Sequence, residues 1–226
     1  MASKDARGES RRERKKRETR KRILRAAQLH FARVGYDAST VEMIAESADI
    51  SKPTLFNYFP SKLAILHTLM PAMDRHFARA VDRSRARGGS TASQIRGFFD
   101  HIAGTALAAP PMARTLLLQF LRSYESPPEE REHQRFPLLR ARMEQLLREG
   151  VEKGEVRRDM SPARLYQYIT GVYVYGMLNW LADPDFRVEN ELRLASRFIA
   201  SALLEADSTK TPLSSRGGTS RNRIRH

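Results

Sequence analysis

Several polar side chains with the chemistry to bind a polyanion lie close together in the sequence. Lys52 supplies an ammonium group, Thr54 a hydroxyl and Asn57 an amide, and Pro53 lies between the first two. Their spacing predicts that they share the outward face of a short helix whose other face packs through Leu55. The N-terminal N–H groups of such a helix favour phosphate, and a short helix presented end-on fits the major groove of DNA. The pattern therefore predicts contact with a nucleic acid.

Patterns for catalysis or metal binding are much weaker. Adjacent glycines occur only in two pairs, at residues 88–89 and 217–218, which do not form a phosphate-binding loop. No two histidines have the i, i+4 spacing of a helical metal site, no nucleophile elbow occurs, and the chain has no cysteine. Glu129 and Glu130 with His133 come closest, and a solvated helix face explains them better. We therefore expect no catalytic residue, no metal site, no cofactor and no enzymatic activity.

The distribution of charge agrees with a polyanion partner. The chain has 226 residues and a formal net charge of +14. Residues 1–62 hold 15 Lys and Arg against 8 Asp and Glu, and residues 207–226 hold 5 against 1. Two basic ends around a nearly balanced body attract phosphates and release their counterions. Charge by itself leaves open a membrane surface as the partner, or a charge excess that only aids solubility.

Apolar residues recur at helical spacing through most of the chain, and no alternating strand pattern stands out, which predicts an all-α fold. Ser39 with Glu42 has the spacing of a capping box at the start of the second helix, and Thr40 is the alternative cap. Three short helices separated by turns, followed by a longer one, make a helix-turn-helix layout. The predicted elements are residues 18–34 ended by Gly35, 41–48, 51–58 capped by Ser51, and a fourth helix from residue 62 capped by Ser61.

The stretch STVEMIAESADISKPTLFNYFPSKLAIL resembles the DNA-binding signature of the tetracycline-repressor (TetR/AcrR) family. The preceding RILRAAQLHFARVGYDAST is similar to the first helix and the Gly-aromatic turn of that family. The resemblance spans about residues 18–66 and implies a transcriptional regulator. It implies an N-terminal three-helix helix-turn-helix domain over residues 18–62 and a larger helical domain for ligand sensing and dimerisation over residues 63–206.

The resemblance also implies roles for individual residues on the recognition helix. Lys52 and Pro53 match positions that contact base edges, and Thr54 shares their outward face. Asn57 and Tyr58 match positions that reach a base or the backbone of the DNA. Phosphate contacts position such a domain, whereas the few contacts to base edges select the DNA sequence.

Three further positions, Thr40, Ser51 and Lys62, match family positions that bind phosphate through a hydroxyl, the backbone or a helix-terminal N–H. The sequence departs from the family at two places. Phe56 replaces a tyrosine and is expected to pack against the domain or a sugar. Asp49 replaces the turn glycine, and aspartate tolerates a left-handed conformation better than most residues.

The larger domain is predicted from helical spacing. A helix from residue 62 to about residue 85 contains Pro71, which should kink or interrupt it. The last two helices are apolar on more than one face, which is more than a monomer needs for its own core. By the resemblance, the helices near 162–182 and 188–204 form a homodimer, so the operator should be near-palindromic. The remaining predicted helices cover residues 92–108, 112–124, 129–152, 162–181 and 188–204.

A pocket between these helices is expected to bind a small-molecule effector. The side chains in it suit a largely apolar ligand, either aromatic or acyl, although aromatic residues are more often core than ligand wall. The polar candidates are His101, Gln119, Arg122 and Asn179. The predicted ligand-binding residues are Phe98, Phe120, Tyr124, Tyr173, Met177 and Trp180.

The sequence as a whole predicts a bacterial, cytoplasmic, nucleoid-associated homodimer that represses transcription and leaves a palindromic operator when an apolar effector binds. An effector-independent regulator, and a non-specific polyanion or interaction protein that uses its basic ends, are the alternatives. Residues 1–17 are predicted to be a disordered basic arm and residues 207–226 a disordered basic tail. Residues 11–17 of the arm either place arginines in a minor groove or attract phosphate non-specifically. No stretch is apolar enough to predict a membrane span.

Overall fold

The computed structural model describes residues 10–125, 136–183 and 185–203, and these ranges contain only helices as regular structure. The predicted disorder of residues 1–9 and 207–226 lies outside the described residues. In chain order the described helices are α1 (Arg11–Ala38), α2 (Val41–Ser47), α3 (Lys52–Tyr58), α4 (Lys62–Ala86), α5 (Thr91–Ala108), α6 (Pro110–Arg122), α7 (Pro137–Glu152), α8 (Pro162–Ala182) and α9 (Val188–Leu203).

Helix α1 begins well before the predicted start near residue 18. Ser10 and Glu13 form a capping box, in which the Glu13 N–H donates to the Ser10 hydroxyl at 3.2 Å and the Ser10 N–H donates to the Glu13 carboxylate at 3.0 Å. Gly35 interrupts the helical backbone with φ 85, as a glycine stop predicts, before one more turn to Ala38.

The next three helices begin at hydroxyl caps. Thr40 caps α2 by accepting from the Met43 N–H at 3.2 Å, so the alternative cap was the right one. Ser39 does not cap the helix, since its buried hydroxyl donates to the Gly35 carbonyl at 2.6 Å instead. Ser51 caps α3 and Ser61 caps α4, as predicted. Helix α4 continues through Pro71 from Lys62 to Ala86, so the proline does not interrupt it, and the alternative of a kink stays a prediction.

Two apolar cores organise these helices. The smaller one, the head core, joins α1, α2 and α3 to the first turns of α4, which contribute Ile65, Leu66 and Leu69. The larger one, the body core, begins farther along the same helix at Ala80 and Val81 and joins α4 to the later helices. In the body, α9 packs against α5 and α8, and α7 packs against α4 and α8. Helix α4 therefore contributes side chains to both cores and connects the head with the body.

A buried carboxylate sets the start of α7. Both oxygens of Asp74 in α4 accept backbone N–H groups at the first turn of α7, from Leu138 and Leu139, at 2.9 Å each. Phe136, just before the helix, has a left-handed backbone with φ 52. Of the helix predicted over residues 129–152, the described part begins at Pro137, where this interhelical cap fixes it, and residues 129–135 lie outside the described residues. Separately, none of the helices in the described ranges is long and apolar enough to cross a bilayer.

Candidate nucleic-acid interface and small-molecule cavity

The polar face predicted for α3 is exposed in the structure. Leu55 is fully buried in the head core, which turns Lys52, Pro53 and Asn57 outward to solvent. Thr54 is half-buried, and its hydroxyl lies 2.8 Å from that of Ser51. The Ser51 hydroxyl also accepts from the Thr54 N–H at 3.3 Å, which fixes the first turn of the helix. The structure therefore places Lys52, Pro53 and Thr54 in the first turn of α3 and Asn57 in its last turn, with Lys52, Pro53 and Asn57 exposed.

The ammonium group of Lys52 has a partner within the head. It forms an ion pair with the Glu42 carboxylate of α2, and this hydrogen bond is the largest cause of the lowered pKa of Glu42. The two side chains are 52% and 59% exposed. Ion pairs between exposed side chains are weak and screened by salt. The pair therefore holds Lys52 near the surface of α2 and α3 without preventing it from reaching a phosphate or a base.

Lys62 differs from Lys52, although both were predicted to contact DNA. Its ammonium donates to the carbonyls of Tyr36 at 2.6 Å and Ser39 at 2.8 Å, and it lies 4.2 Å from the centroid of the Tyr36 ring. A third, longer contact of 3.4 Å reaches the Asp37 carbonyl. The three donors of an ammonium are thus used inside the protein. Only the backbone N–H of Lys62, at the start of α4, remains a candidate for phosphate.

The remaining predicted residues of the head divide between exposure and packing. Thr40 is exposed at the start of α2, whereas Tyr58 is half-buried against the head core. Phe56 is 42% exposed, so the expectation that it packs against the domain finds no support. Asp49 adopts φ 51, as the turn between α2 and α3 requires. The Asp49 carboxylate lies 3.6 Å from the Arg22 guanidinium, and an ion pair this exposed contributes little to stability.

A cavity of about 300 Å³ lies where α1, α4, α5, α6, α7 and α8 meet. Its wall is mostly apolar and aromatic, and burial raises the pKa of Tyr173 and Tyr166 in it. Three of the six predicted ligand-binding residues, Phe98, Phe120 and Tyr173, lie in this wall. Such an apolar volume is typical of a small-molecule site.

The other three predicted ligand residues lie elsewhere. Met177 is 1% exposed inside the body core, and Tyr124 is 58% exposed with its ring against Phe120. Trp180 lines a separate cleft of about 500 Å³ between the last turn of α1 and helix α6, together with Gln119 and Arg122. All three have side chains of a type that suits a ligand wall. Which cavity or core each side chain faces depends on how α8 is rotated about its axis and on where α6 ends.

Sequence reasoning missed the contribution of α4, α7 and α1 to the cavity. Met73 and Phe77 belong to an apolar stripe of α4 that also contains Leu66, Leu69 and Val81, and His76 lies between them. Met143 comes from α7 and Phe136 directly precedes that helix, and the sequence connected neither with the pocket. The apolar stripe of α4 was the one available signal, since a stripe that continues beyond the head must face something in the body. Two residues of α1, Gln28 and Ala32, complete the wall.

The cavity touches the head through α6. Met112 of α6 lines the cavity and also packs against the head core. One helical turn away, the Tyr36 N–H donates to the Thr115 hydroxyl at 3.3 Å. A Cβ on Gly35 would lie 3.4 Å from the Pro111 Cβ, so the last turn of α1 rests directly on α6. A ligand that moves α6 would therefore move the head.

The last two helices carry exposed apolar side chains. Tyr175 of α8 is 69% exposed and Phe198 of α9 is 65% exposed. Tyr168, Leu178 and Leu194 on the same two helices are also exposed. Water-exposed apolar area of this kind on adjacent helices is typical of a surface that another protein covers.

In the described part of the chain, no group of three or more histidine and carboxylate side chains is arranged to hold a metal ion.

Comparison with known proteins agrees with this geometry. Residues 23–69 match the family described as bacterial regulatory proteins, tetR family. The transcriptional repressor KstR of Mycolicibacterium smegmatis is 27% identical over 187 residues, which are 79% of this chain and 87% of that protein. The TetR-family repressor FadR of Thermus thermophilus, solved with lauroyl-CoA, has a TM-score of 0.64 and 26% identity, covering 85% of this chain and 99% of that one. FadR of Bacillus subtilis, solved with stearoyl-CoA, has a TM-score of 0.66 at 19% identity, covering 81% and 98%.

Proposed function

The chain belongs to the tetR family of bacterial regulatory proteins and is a DNA-binding transcriptional regulator, and on that premise we propose that it is a homodimeric repressor. In this proposal each protomer places α3 in a major groove of a palindromic operator. An effector bound in the cavity between the head and the body then releases the DNA. The observation that carries the proposal is the position of the cavity, whose wall includes both α1 of the head and α6, on which the head rests.

We assign the DNA contacts to two groups of residues. Lys52, Pro53, Thr54, Asn57 and Tyr58 are the proposed base and backbone contacts of α3. Thr40, Ser51 and Lys62 stand at the first turns of α2, α3 and α4, where N–H groups and the helix dipole favour phosphate. For Lys62 the proposed contact is its backbone N–H, since its ammonium is engaged within the head.

We propose that α8 and α9 form the dimer interface through their exposed apolar faces. Burying Tyr175 and Phe198 against a second copy would remove apolar area from water, which is the main source of stability in homodimers. A two-fold axis between the copies presents two α3 helices to one side of the duplex. This arrangement explains why the operator should be palindromic.

We propose an effector that is largely apolar and of the acyl class. Aromatic side chains such as Phe98, Phe120 and Tyr173 dominate the wall of the cavity. The likeness to a repressor solved with lauroyl-CoA, which is 26% identical, favours an acyl chain over a rigid aromatic ligand. Release of DNA follows if the ligand binds the dimer geometry that misfits the operator more tightly than the one that fits it.

Selection of bound duplexes from a random DNA pool tests the DNA-binding proposal. The wild type should enrich a palindromic consensus, whereas a double variant, Lys52→Ala with Asn57→Ala, should not. Both residues are exposed, so the double variant should fold normally. Arg158→Ala, an exposed cation between α7 and α8, is the matched control and should enrich the same consensus. Enrichment of no consensus by a folded, dimeric wild type would favour the polyanion-binding alternative.

A cavity-filling variant tests the role of the effector. Ala113→Phe places a ring into the cavity wall on α6. It should abolish release of the selected operator by lauroyl-CoA, measured by fluorescence anisotropy, while binding of the operator itself persists. Ala72→Phe, on a half-buried position of α4 outside the cavity wall, is the control for a bulky substitution. If no acyl compound changes operator affinity of the wild type, the effector-independent alternative is favoured.

A further inference from the structure

Two histidines and an arginine form a cluster that begins in the cavity wall. His76 of α4 lines the cavity, and its Nε2 atom lies 3.3 Å from Nε2 of His101 on α5. The same His101 nitrogen lies 3.1 Å from a terminal guanidinium nitrogen of Arg83. Both imidazoles are half-buried, whereas Arg83 is exposed. The cluster therefore runs from the apolar cavity to the protein surface.

The cluster has too few hydrogen-bond acceptors. If His101 Nε2 carries no proton, its single lone pair faces both the Arg83 N–H and His76. If it carries a proton, it donates to His76 and no longer accepts from Arg83. In either tautomer, the Arg83 guanidinium meets at most this one acceptor within the cluster, and its other N–H groups remain available to donate to an anion. Arg83 has no carboxylate within ion-pair distance among the described residues.

The electrostatics of the cluster point the same way. Burial is the largest cause of the lowered pKa of His76, and the neighbouring Arg83 and Arg79 add to it. Burial likewise lowers the pKa of His101, together with Arg83, His76 and Arg87. Among the described residues, no carboxylate contributes to the pKa shift of either imidazole. The positive charge is therefore uncompensated, which disfavours a metal cation and favours an anion.

We propose that His76, His101 and Arg83 bind the anionic group of the effector. The effector is accordingly an amphipath with an apolar body for the cavity and a carboxylate or phosphate for the cluster. An anion supplies the missing acceptors, and hydrogen bonds to ionised groups are stronger than neutral ones. This inference rests on the proposed role of the cavity and adds the chemical class of the head group.

Isothermal titration calorimetry on the full chain tests the inference with three probes of one chain length: dodecanoate, 1-dodecanol and lauroyl-CoA. The wild type should bind dodecanoate at least about tenfold more tightly than dodecanol at neutral pH. His101→Gln and Arg83→Gln should each remove most of this preference and leave dodecanol affinity unchanged, because neither side chain lines the cavity. Arg96→Gln, an exposed arginine on the same helix as His101, is the matched control.

Proton uptake on ligand binding gives a second measurement, and it would not change if the histidines had only a structural role. A bound anion raises the pKa of the imidazoles beside it, so binding of dodecanoate should take up protons near neutral pH. The binding enthalpy should then differ between buffers of different ionisation enthalpy for the wild type, and this difference should shrink in His101→Gln. Dodecanol should show no buffer dependence in either protein.

The outcomes separate this inference from the role of the cavity. Equal affinity for dodecanoate and dodecanol, with lauroyl-CoA no tighter, would overturn the anion site and leave an apolar effector cavity in place. Binding of lauroyl-CoA alone, weakened by Arg83→Gln, would support the site with phosphate as the anion. Failure of all three probes to bind would overturn the cavity as an acyl site and the inference with it.

Discussion

Two lysines that the sequence placed in one functional class should respond differently to the same substitution. Replacing Lys62 with methionine keeps the alkyl chain and removes the ammonium that joins α4 to the carbonyls of Tyr36 and Ser39. Replacing Lys52 with methionine removes an exposed ammonium whose partner is Glu42 on the surface. We expect the first change to lower stability and the second to lower DNA affinity.

The magnitude for Lys62 follows from its contacts. Hydrogen bonds to a charged group contribute about 1.5–3 kcal/mol each, and the two short ones here share one half-exposed ammonium, so they do not add fully. The cation above the Tyr36 ring adds about 0.5–1 kcal/mol. We expect a loss of about 2–3 kcal/mol. For a chain of this length each kcal/mol lowers Tm by about 2–4 °C, which gives a decrease of about 4–12 °C.

The assay combines thermal unfolding, followed by circular dichroism, with anisotropy titration of the selected operator. Lys52→Met should melt within about a degree of the wild type, because exposed ion pairs contribute little. Its operator affinity should fall about tenfold or more per half-site, as for other lost contacts to a base edge. If Lys62→Met melted like the wild type and instead lost operator affinity to the extent expected for Lys52→Met, the structural role assigned to the Lys62 ammonium would be refuted.

Three other predictions follow from the packing. Gly150→Ala should destabilise the protein by about 1–3 kcal/mol, measured by urea unfolding, because the added Cβ would lie 2.6 Å from the Thr91 hydroxyl. Glu155→Gln should lower Tm at neutral pH, because hydrogen bonds from Thr91 stabilise the Glu155 carboxylate and lower its pKa. This stabilisation is lost as the carboxylate of the folded protein protonates, so the difference in Tm should vanish well below pH 4.5. Phe198→Glu should convert the dimer to a monomer in sedimentation velocity, because it places a charge in the proposed interface.

Matched controls exist for these substitutions. Gly104→Ala in α5 adds a methyl group where nothing lies within 4 Å, so it should stabilise the protein by about 0.5–1 kcal/mol through helix propensity. A loss of stability in Gly104→Ala equal to that in Gly150→Ala would contradict the packing argument. Leu29→Glu replaces a side chain 64% exposed, close to the 65% of Phe198, but on α1. It should remain dimeric, and a dimeric Phe198→Glu protein would place the interface elsewhere.

The DNA-binding head was largely predictable from the sequence. Its caps, turns and apolar positions are local signals: Ser51 satisfies an N–H three residues away, and Asp49 turns the chain between two short helices. Local signals failed where a side chain has its partner in a distant part of the chain, and where a run of basic residues suggested disorder. The start of α1 at Arg11 was concealed by a basic run that resembles a disordered arm.

The effector cavity was only partly predictable, because it depends on how helices from distant parts of the chain rotate against each other. Phe98, Phe120 and Tyr173 were identified by side-chain type, yet the same reasoning included Met177, which lies in the core. The start of α7 depends on Asp74, more than sixty residues earlier, whose carboxylate accepts from Leu138 and Leu139. A composition or spacing rule has no access to such a contact.

The sequence by itself determined that this protein is helical, that its N-terminal helices form a helix-turn-helix, and that α3 exposes the polar face that contains Lys52 and Asn57. These properties follow from interactions within a few residues, where helix period and capping chemistry leave few alternatives. Only the tertiary structure decided that Lys62 holds the head together while Lys52 stays at the surface, and that His76, His101 and Arg83 meet beside the cavity. Those outcomes depend on contacts between helices far apart in the chain, which side-chain packing alone selects.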